Sequence, residues 1–274
     1  MRTARAVPRF LALGLAGVTA ISVACSDVTE SSTAVFALSV DTIPAPSVVA
    51  GDTMRDTLGA LVRLSAQAFD LSGAVLPNVP IRFYSLDTTQ LRFDTLGHAI
   101  GVPTGDGSAR FVVDAEGLQS LPQTLPVVLR PDLASHADSD SVTTAAVSLT
   151  SSLSNVSVPL VVALTHLPDS PGSDTLTRSY WMSYHIVYPA FATGATGAPG
   201  DTALGVYVAD QGRNPAPLDT TDDNGHGTRY VVFNAAQLAA LNDPADSVVV
   251  QATSWYHGQP VAGCPVRFVI HYSE

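Results

Sequence analysis

The chain contains no lysine. All 13 basic residues are arginine, against 24 acidic residues, and the formal net charge is −11. Binding nucleic acid needs clustered cations facing the phosphates. The arginines of the body are scattered, so nucleic acid is excluded as a partner. Charged residues make up only 14% of the chain and hydrophobic residues 46%, which excludes disorder by composition. Amphipathic helical periods are scarce. Cysteine is nearly missing: Cys25 and Cys264 are the only two. What is abundant is Val, Thr, Ser, Pro and Gly, the mixture of an all-β chain. A length of 274 residues suits a short leader and two domains of ~100–150 residues each.

The first residues, MRTARAVPRFLALGLAGVTAISVACSD, read as a leader. Arg2, Arg5 and Arg9 form a positive region, and the apolar stretch from Phe10 to Ala24 is shorter than the ~20 residues of a permanent membrane span. This is the pattern of a secretory signal peptide over 1–24. Ser22-Val23-Ala24-Cys25 resembles the lipobox of bacterial lipoproteins, with Ser22 where that family carries Leu. The resemblance implies that Cys25 is acylated and becomes the mature N-terminus, with 25–34 as a polar tether. Simple cleavage after Ala24 or Ala20 without a lipid is the alternative.

Downstream, period-two alternation is the main signal. It places Val62, Leu64, Ala66 and Ala68 on one face of a strand and Arg63, Ser65 and Gln67 on the other. Val79, Ile81 and Phe83 point inward, as do Ala109, Phe111 and Val113. In the second half, Tyr180, Met182, Tyr184, Ile186 and Tyr188 share a face, and so do Val248, Val250 and Ala252. Turn signals at Ser72-Gly73, Pro77-Asn78 and Asp106-Gly107 separate the strands. Strands of this length and spacing predict antiparallel sandwiches. Two segments, DAEGLQSLPQ and NAAQLAALNDP, read as short helical turns, the second capped by Asn234. RPDLASHADSD lacks alternation and reads as a loop. The predicted division is 35–144 and 145–274.

AFDLSGAVLPNVPIRF, Ala68 to Phe83, resembles the strand-and-turn signature of bacterial immunoglobulin-like domains of the intimin and invasin type. PTGDGSARFVV, Pro103 to Val113, is similar to a later strand of the same family. The resemblance covers about 35–132, implies an immunoglobulin-like sandwich there and carries no catalytic residue with it; strand order and the DDNGHGTRYVVF hairpin extend the same expectation to a second sandwich over 145–274.

DDNGHGTRYVVF, Asp222 to Phe233, poses a chemical question. Its Gly-His-Gly-Thr is similar to the string around the catalytic histidine of subtilisin-like proteases. That chemistry needs an aspartate to orient the histidine and a serine for it to activate, and neither companion string is present. Asn224-Gly225 reads instead as a hairpin turn leading into a strand. An EF-hand fails on spacing, because Thr220 and Val231 stand where acidic ligands are required. Asp219, Asp222, Asp223 and Asn224 remain candidate oxygens for a looser calcium site, against a solvated turn as the plainer reading. The seven histidines show no metal-ligand spacing, so no metal and no cofactor is expected. Cys264 is expected as a small buried hydrophobe on the face of Val266, Phe268 and Ile270. Trp181 and Trp255 are the candidate ligand contacts.

Taken together, these features predict a non-enzymatic lipoprotein of the bacterial envelope. Its partners would be a membrane, reached through Cys25, and a surface protein or glycan. An envelope carbohydrate-binding module or a hydrolase accessory protein is the alternative.

Overall fold

The computed structural model describes residues 34–137, 144–148, 154–168, 175–189, 192, 205–237 and 246–273. The leader and Cys25 lie outside the described residues.

The first half holds nine strands: β1 (Ala37–Val40), β2 (Val48–Val49), β3 (Ala66–Phe69), β4 (Arg82–Ser85), β5 (Leu91–Phe93), β6 (Ala99–Gly101), β7 (Gly107–Ala115), β8 (Leu118–Gln119) and β9 (Gln123–Val128). The main sheet runs β2-β9-β7-β4, with β8 off the edge of β7. The β1–β3 and β5–β6 pairs supply the rest. In β7 the expected alternation holds, with Ala109, Phe111 and Val113 buried and Arg110 exposed. Leu64, Leu91, Leu125 and Val127 join them in one core, and Phe83 and Phe93 pack against it.

The second half holds β10 (Leu133–His136), β11 (Thr144–Ser148), β12 (Ser154–Val156), β13 (Leu160–His166), β14 (Thr175–Leu176), β15 (Trp181–Tyr188), β16 (Val206–Ala209), β17 (Leu218–Thr220), β18 (His226–Asn234), β19 (Ser247–Thr253), β20 (Trp255–Tyr256), β21 (Gln259–Pro260) and β22 (Val266–Ser273). One sheet runs β11-β22-β19-β15-β17; the other joins β10, β13, β18 and β12, with β14 and β16 attached. Met182, Tyr184 and Ile186 meet Val231, Phe233, Val250 and Phe268 in a second core.

Both halves share one topological device. A short early strand pairs parallel with the last strand, β2 with β9 and β11 with β22, while that last strand pairs antiparallel with its predecessor in the sheet. Antiparallel sheets joined this way form immunoglobulin-like sandwiches, as expected.

Three sequence expectations are corrected. DAEGLQSLPQ is no helical turn: β7 runs on to Ala115, turns at Glu116-Gly117 and returns as β8. Glu116 has a φ of 53°, in the left-handed region that a tight turn requires. The segment read as a loop, RPDLASHADSD, contains β10, which pairs with β13. Ala134 therefore belongs to the second core, and the change from one core to the next falls between Val127 and Ala134, ahead of the expected 144/145. A strand that finds its partner 30 residues away needs little alternation of its own, which is why the pattern missed it. Finally, Tyr188 leaves the face of Met182, Tyr184 and Ile186. The pairing of β15 with β19 shifts between Ile186 and Tyr188, and a bulge of this kind turns the next side chain outward. In NAAQLAALNDP, Asn234 does accept the backbone N–H of Gln237 at 3.2 Å, opening a helical turn at 235–237; the remainder lies outside the described residues.

Candidate functional site

Two places hold the residues singled out by the sequence: the Asp222 hairpin and the junction between the sandwiches.

The Asp222 hairpin is one of five turns built alike, headed by Asp56, Asp70, Asp94, Asp210 and Asp222. In each, the aspartate N–H donates to the carbonyl four residues on. In four of them, Oδ1 accepts the N–H groups two and four residues on. At Asp222 these come from Asn224 at 2.8 Å and His226 at 2.9 Å. The same pair of bonds forms at Asp56, Asp70 and Asp94. The position three residues after the aspartate has positive φ in all five, filled by Gly four times and by Arg213 once. The spacing Asp-x-x-Gly is therefore a turn code, in which the carboxylate satisfies amides left bare at the hairpin end. His226 contributes its backbone to this turn and then begins β18. The similarity to a protease string is a consequence of turn chemistry.

The candidate calcium oxygens divide accordingly. Asp222 is engaged by its own loop. Asp219 accepts the N–H of Thr220 at 2.8 Å and that of Thr228 at 2.5 Å, and it pairs with Arg229 at 2.7 Å. Arg229 also donates to the carbonyls of Ala216, Thr228 and Leu218. Asp223 and Asn224 are exposed at the tip. Asp219 and Asp222 thus both bond backbone N–H groups of the loop, the arrangement that a hairpin end requires. Asp222→Ala is expected to cost about 1 kcal/mol, in line with losing a helix-capping side chain. Urea titration of both proteins measures it.

At the junction, the turn after β19 carries a second, smaller hairpin, β20 and β21, closed by His257-Gly258. This hairpin abuts the 52–59 loop of the first sandwich. His257 Nε2 lies 2.6 Å from Asp52 Oδ2. Arg55 binds the same carboxylate through Nε at 3.1 Å and its terminal nitrogen at 3.3 Å, and holds the Gly59 carbonyl at 2.8 Å. Burial alone would raise the Asp52 carboxyl, but hydrogen bonds from Arg55, His257 and the Thr53 N–H outweigh it and hold the group below the ordinary carboxylate range. Nearby, Arg178 reaches back to Asp106 at 3.0 Å.

Aromatic residues fill this contact. Tyr180, Trp181 and Tyr256 line one small cleft with Ser47, Val49, Asp52, Thr53 and Arg55 of the first sandwich. Tyr180 donates its hydroxyl to the Trp255 carbonyl at 2.9 Å, and burial pushes that hydroxyl well above its ordinary value. The Tyr256 and His257 rings pack at a tilt of 38°, their centroids 4.2 Å apart. Trp181 Nε1 is buried in the cleft wall, and Trp255 is half-buried. The two tryptophans marked as ligand contacts thus stand at or beside the sandwich contact. The cleft they flank holds about 10 Å³, the space of one water.

Sequence reasoning missed Asp52, Arg55 and His257. The Asp56-x-x-Gly59 turn code was available to it; the partner, about two hundred residues on, was not. It also passed over a close pair on the outward face of β15, Ser183 Oγ and His185 Nε2, 2.6 Å apart. A nucleophilic triad would need a carboxylate on the other ring nitrogen, and among the described residues none is bonded there. Cys264 is half-buried against the second core, just ahead of β22, with Sγ accepting the Ser254 N–H at 3.3 Å. Burial raises its thiol, which lowers the thiolate fraction.

The fold and its junction define a tandem pair of immunoglobulin-like sandwiches. No family model matches the chain, and no curated protein matches it. Solved structures resemble it loosely. Domains 4 and 5 of the S-layer protein SbsC are 15% identical with a TM-score of 0.30, over 88% of this chain and 99% of that one. The Yersinia pseudotuberculosis adhesin InvE is 15% identical with a TM-score of 0.34, over 87% of this chain and 58% of its own. The Escherichia coli adhesin FdeC is 12% identical with a TM-score of 0.26, over 88% and 67%.

Proposed function

We propose that the protein is an exported, lipid-anchored bacterial surface protein whose two sandwiches act as a spacer or as a binding and adhesion module. The observation that supports this most directly is the junction. Only residues 129–132 separate β9 from β10, and the sandwiches are tied by the Asp52–His257 and Asp106–Arg178 contacts. A linker of that length, backed by side-chain bonds, favours a fixed angle over free rotation. A module of fixed geometry is suited to presenting loops at a set distance from a membrane. The leader supports export, Cys25 supports the anchor, and a surface protein or glycan is the partner class. The resemblance of Ala68–Phe83 and Pro103–Val113 to intimin-type domains agrees with that role.

Metabolic labelling with a fatty acid, read by intact mass on the exported protein, tests the anchor. The label should appear on the wild type and vanish in Cys25→Ser. A label that survives the substitution, or is missing from the wild type, overturns the anchor.

A further inference from the structure

We propose that the free pole of the first sandwich docks on a zwitterionic phospholipid surface. The proposal rests on the lipid-anchor reading of Cys25.

The pole is placed by topology. Strand β7 begins beside Asp106, which contacts the second sandwich, and ends nine residues on at Ala115. At ~3.3 Å per residue that is roughly 30 Å, so Ala115 marks the end of the sandwich away from the junction. The Glu116-Gly117 turn and β8 lie at this end. So does the start of β1, which packs near β8, with Phe36 donating its N–H to Phe69. The Asp70 turn closes the neighbouring hairpin, where Phe69 bridges Val75.

Large apolar side chains stand out from this pole. Phe36 is 62% exposed, Leu71 68%, Val75 49% and Leu118 36%. They sit at turns and strand ends, carried on backbone already bonded by β pairing or by the Asp70 carboxylate, so little ordering is needed for them to make contact. Turn tips bearing Leu and Phe beside polar turn residues match the boundary between headgroups and acyl chains.

The chain itself selects the occupant. The described chain begins at this pole with Ala34, nine steps along the chain from Cys25. Fully extended, nine residues reach roughly 30 Å. An acylated Cys25 therefore keeps Ala34, two residues ahead of Phe36, within that distance of the bilayer, and the pole that carries these side chains on the near side of the sandwich. A contact too weak to form from solution becomes intramolecular, at an effective concentration in the millimolar range for a short tether. No protein partner has its proximity dictated in this way. Asp70 and Glu116 at the same pole disfavour an anionic surface, which is why the commitment is to zwitterionic lipid.

Leu71→Trp in the full-length acylated protein supplies the test, on phosphatidylcholine–phosphatidylethanolamine vesicles with brominated acyl chains. Bromine quenches tryptophan only at close range, and native Trp181 and Trp255 lie at the junction as a built-in baseline. The added tryptophan should be quenched at least about twofold more than that baseline. Equal quenching with the protein sedimenting on vesicles overturns docking and leaves the anchor standing. A chain that carries no acyl group and stays in solution removes both.

Discussion

Gly59→Ala should open the contact between the sandwiches while leaving both cores folded. A Cβ built on Gly59 would lie 2.2 Å from the Gly258 backbone nitrogen and 2.7 Å from the His257 carbonyl carbon. Both are backbone atoms of the opposing hairpin, so no rotamer change relieves the clash. Gly59 also has a φ of +86°, a conformation that costs any L side chain about 1–2 kcal/mol. The fold supplies its own control for that cost. Gly73 holds the same place in the Asp70 turn, with a φ of +84°, and nothing lies within 4 Å of its Cβ. Gly73→Ala should lower stability by about 1–2 kcal/mol and leave the solution dimensions unchanged. Gly59→Ala should show a similar loss and, in addition, a larger maximum dimension in small-angle X-ray scattering. Scattering curves that superimpose for the two variants would mean that the junction does not hold the sandwiches together.

The second large effect is expected at the Asp219–Arg229 pair. Both side chains are mostly buried, at 15% and 13% exposure. The carboxylate also takes two backbone N–H bonds, and the guanidinium takes three carbonyls. Removing one member leaves the other charged and poorly solvated, which costs about 3–5 kcal/mol in comparable buried pairs. Asp219→Ala should therefore destabilise the second sandwich by an amount near that range, several times the effect of Asp222→Ala. The same measurement separates the structural reading from the calcium reading. With Asp219 engaged by arginine, the wild-type unfolding midpoint should not change between chelator and millimolar calcium. A calcium-dependent rise that disappears in Asp219→Ala would restore the ion site.

The comparison of the two hairpins shows how one local rule serves two ends. Asp56-x-x-Gly59 and Asp222-x-x-Gly225 are the same turn, sharing the aspartate and the glycine and little else. At Asp222 the turn reverses the chain between β17 and β18 and seats its glycine inside its own sandwich, where the Gly225 carbonyl accepts the Leu164 N–H at 2.9 Å and a Cβ would lie 2.7 Å from Leu176. At Asp56 it presents a bare glycine to the backbone of another hairpin, and the junction forms on it. Local chemistry is identical; what differs is the surface that the rest of the fold brings opposite.

That difference also marks how far the sequence reaches. Alternation in β3, β7, β15 and β19 was legible because a half-buried strand repeats every two residues, and burial follows from that repeat alone. The Asp70 and Asp222 turns were legible because an aspartate and a residue tolerant of positive φ satisfy the hairpin end from within five residues, whereas the turn expected at Asp106-Gly107 falls at 103–104 and Gly107 already opens β7. Other features depend on partners distant in the chain. Strand β10 exists because β13 lies beside it. Tyr188 faces out because the register with β19 shifts. Trp181 is half-buried in a cleft wall that Val49 and Asp52 of the first sandwich complete. Sequence alone determined the β architecture and the turns, since both are set by neighbours along the chain. Only the tertiary structure decided where one sandwich ends, which aromatics become the contact between them, and that Asp52 meets His257, since those depend on surfaces that exist only after both sheets have closed.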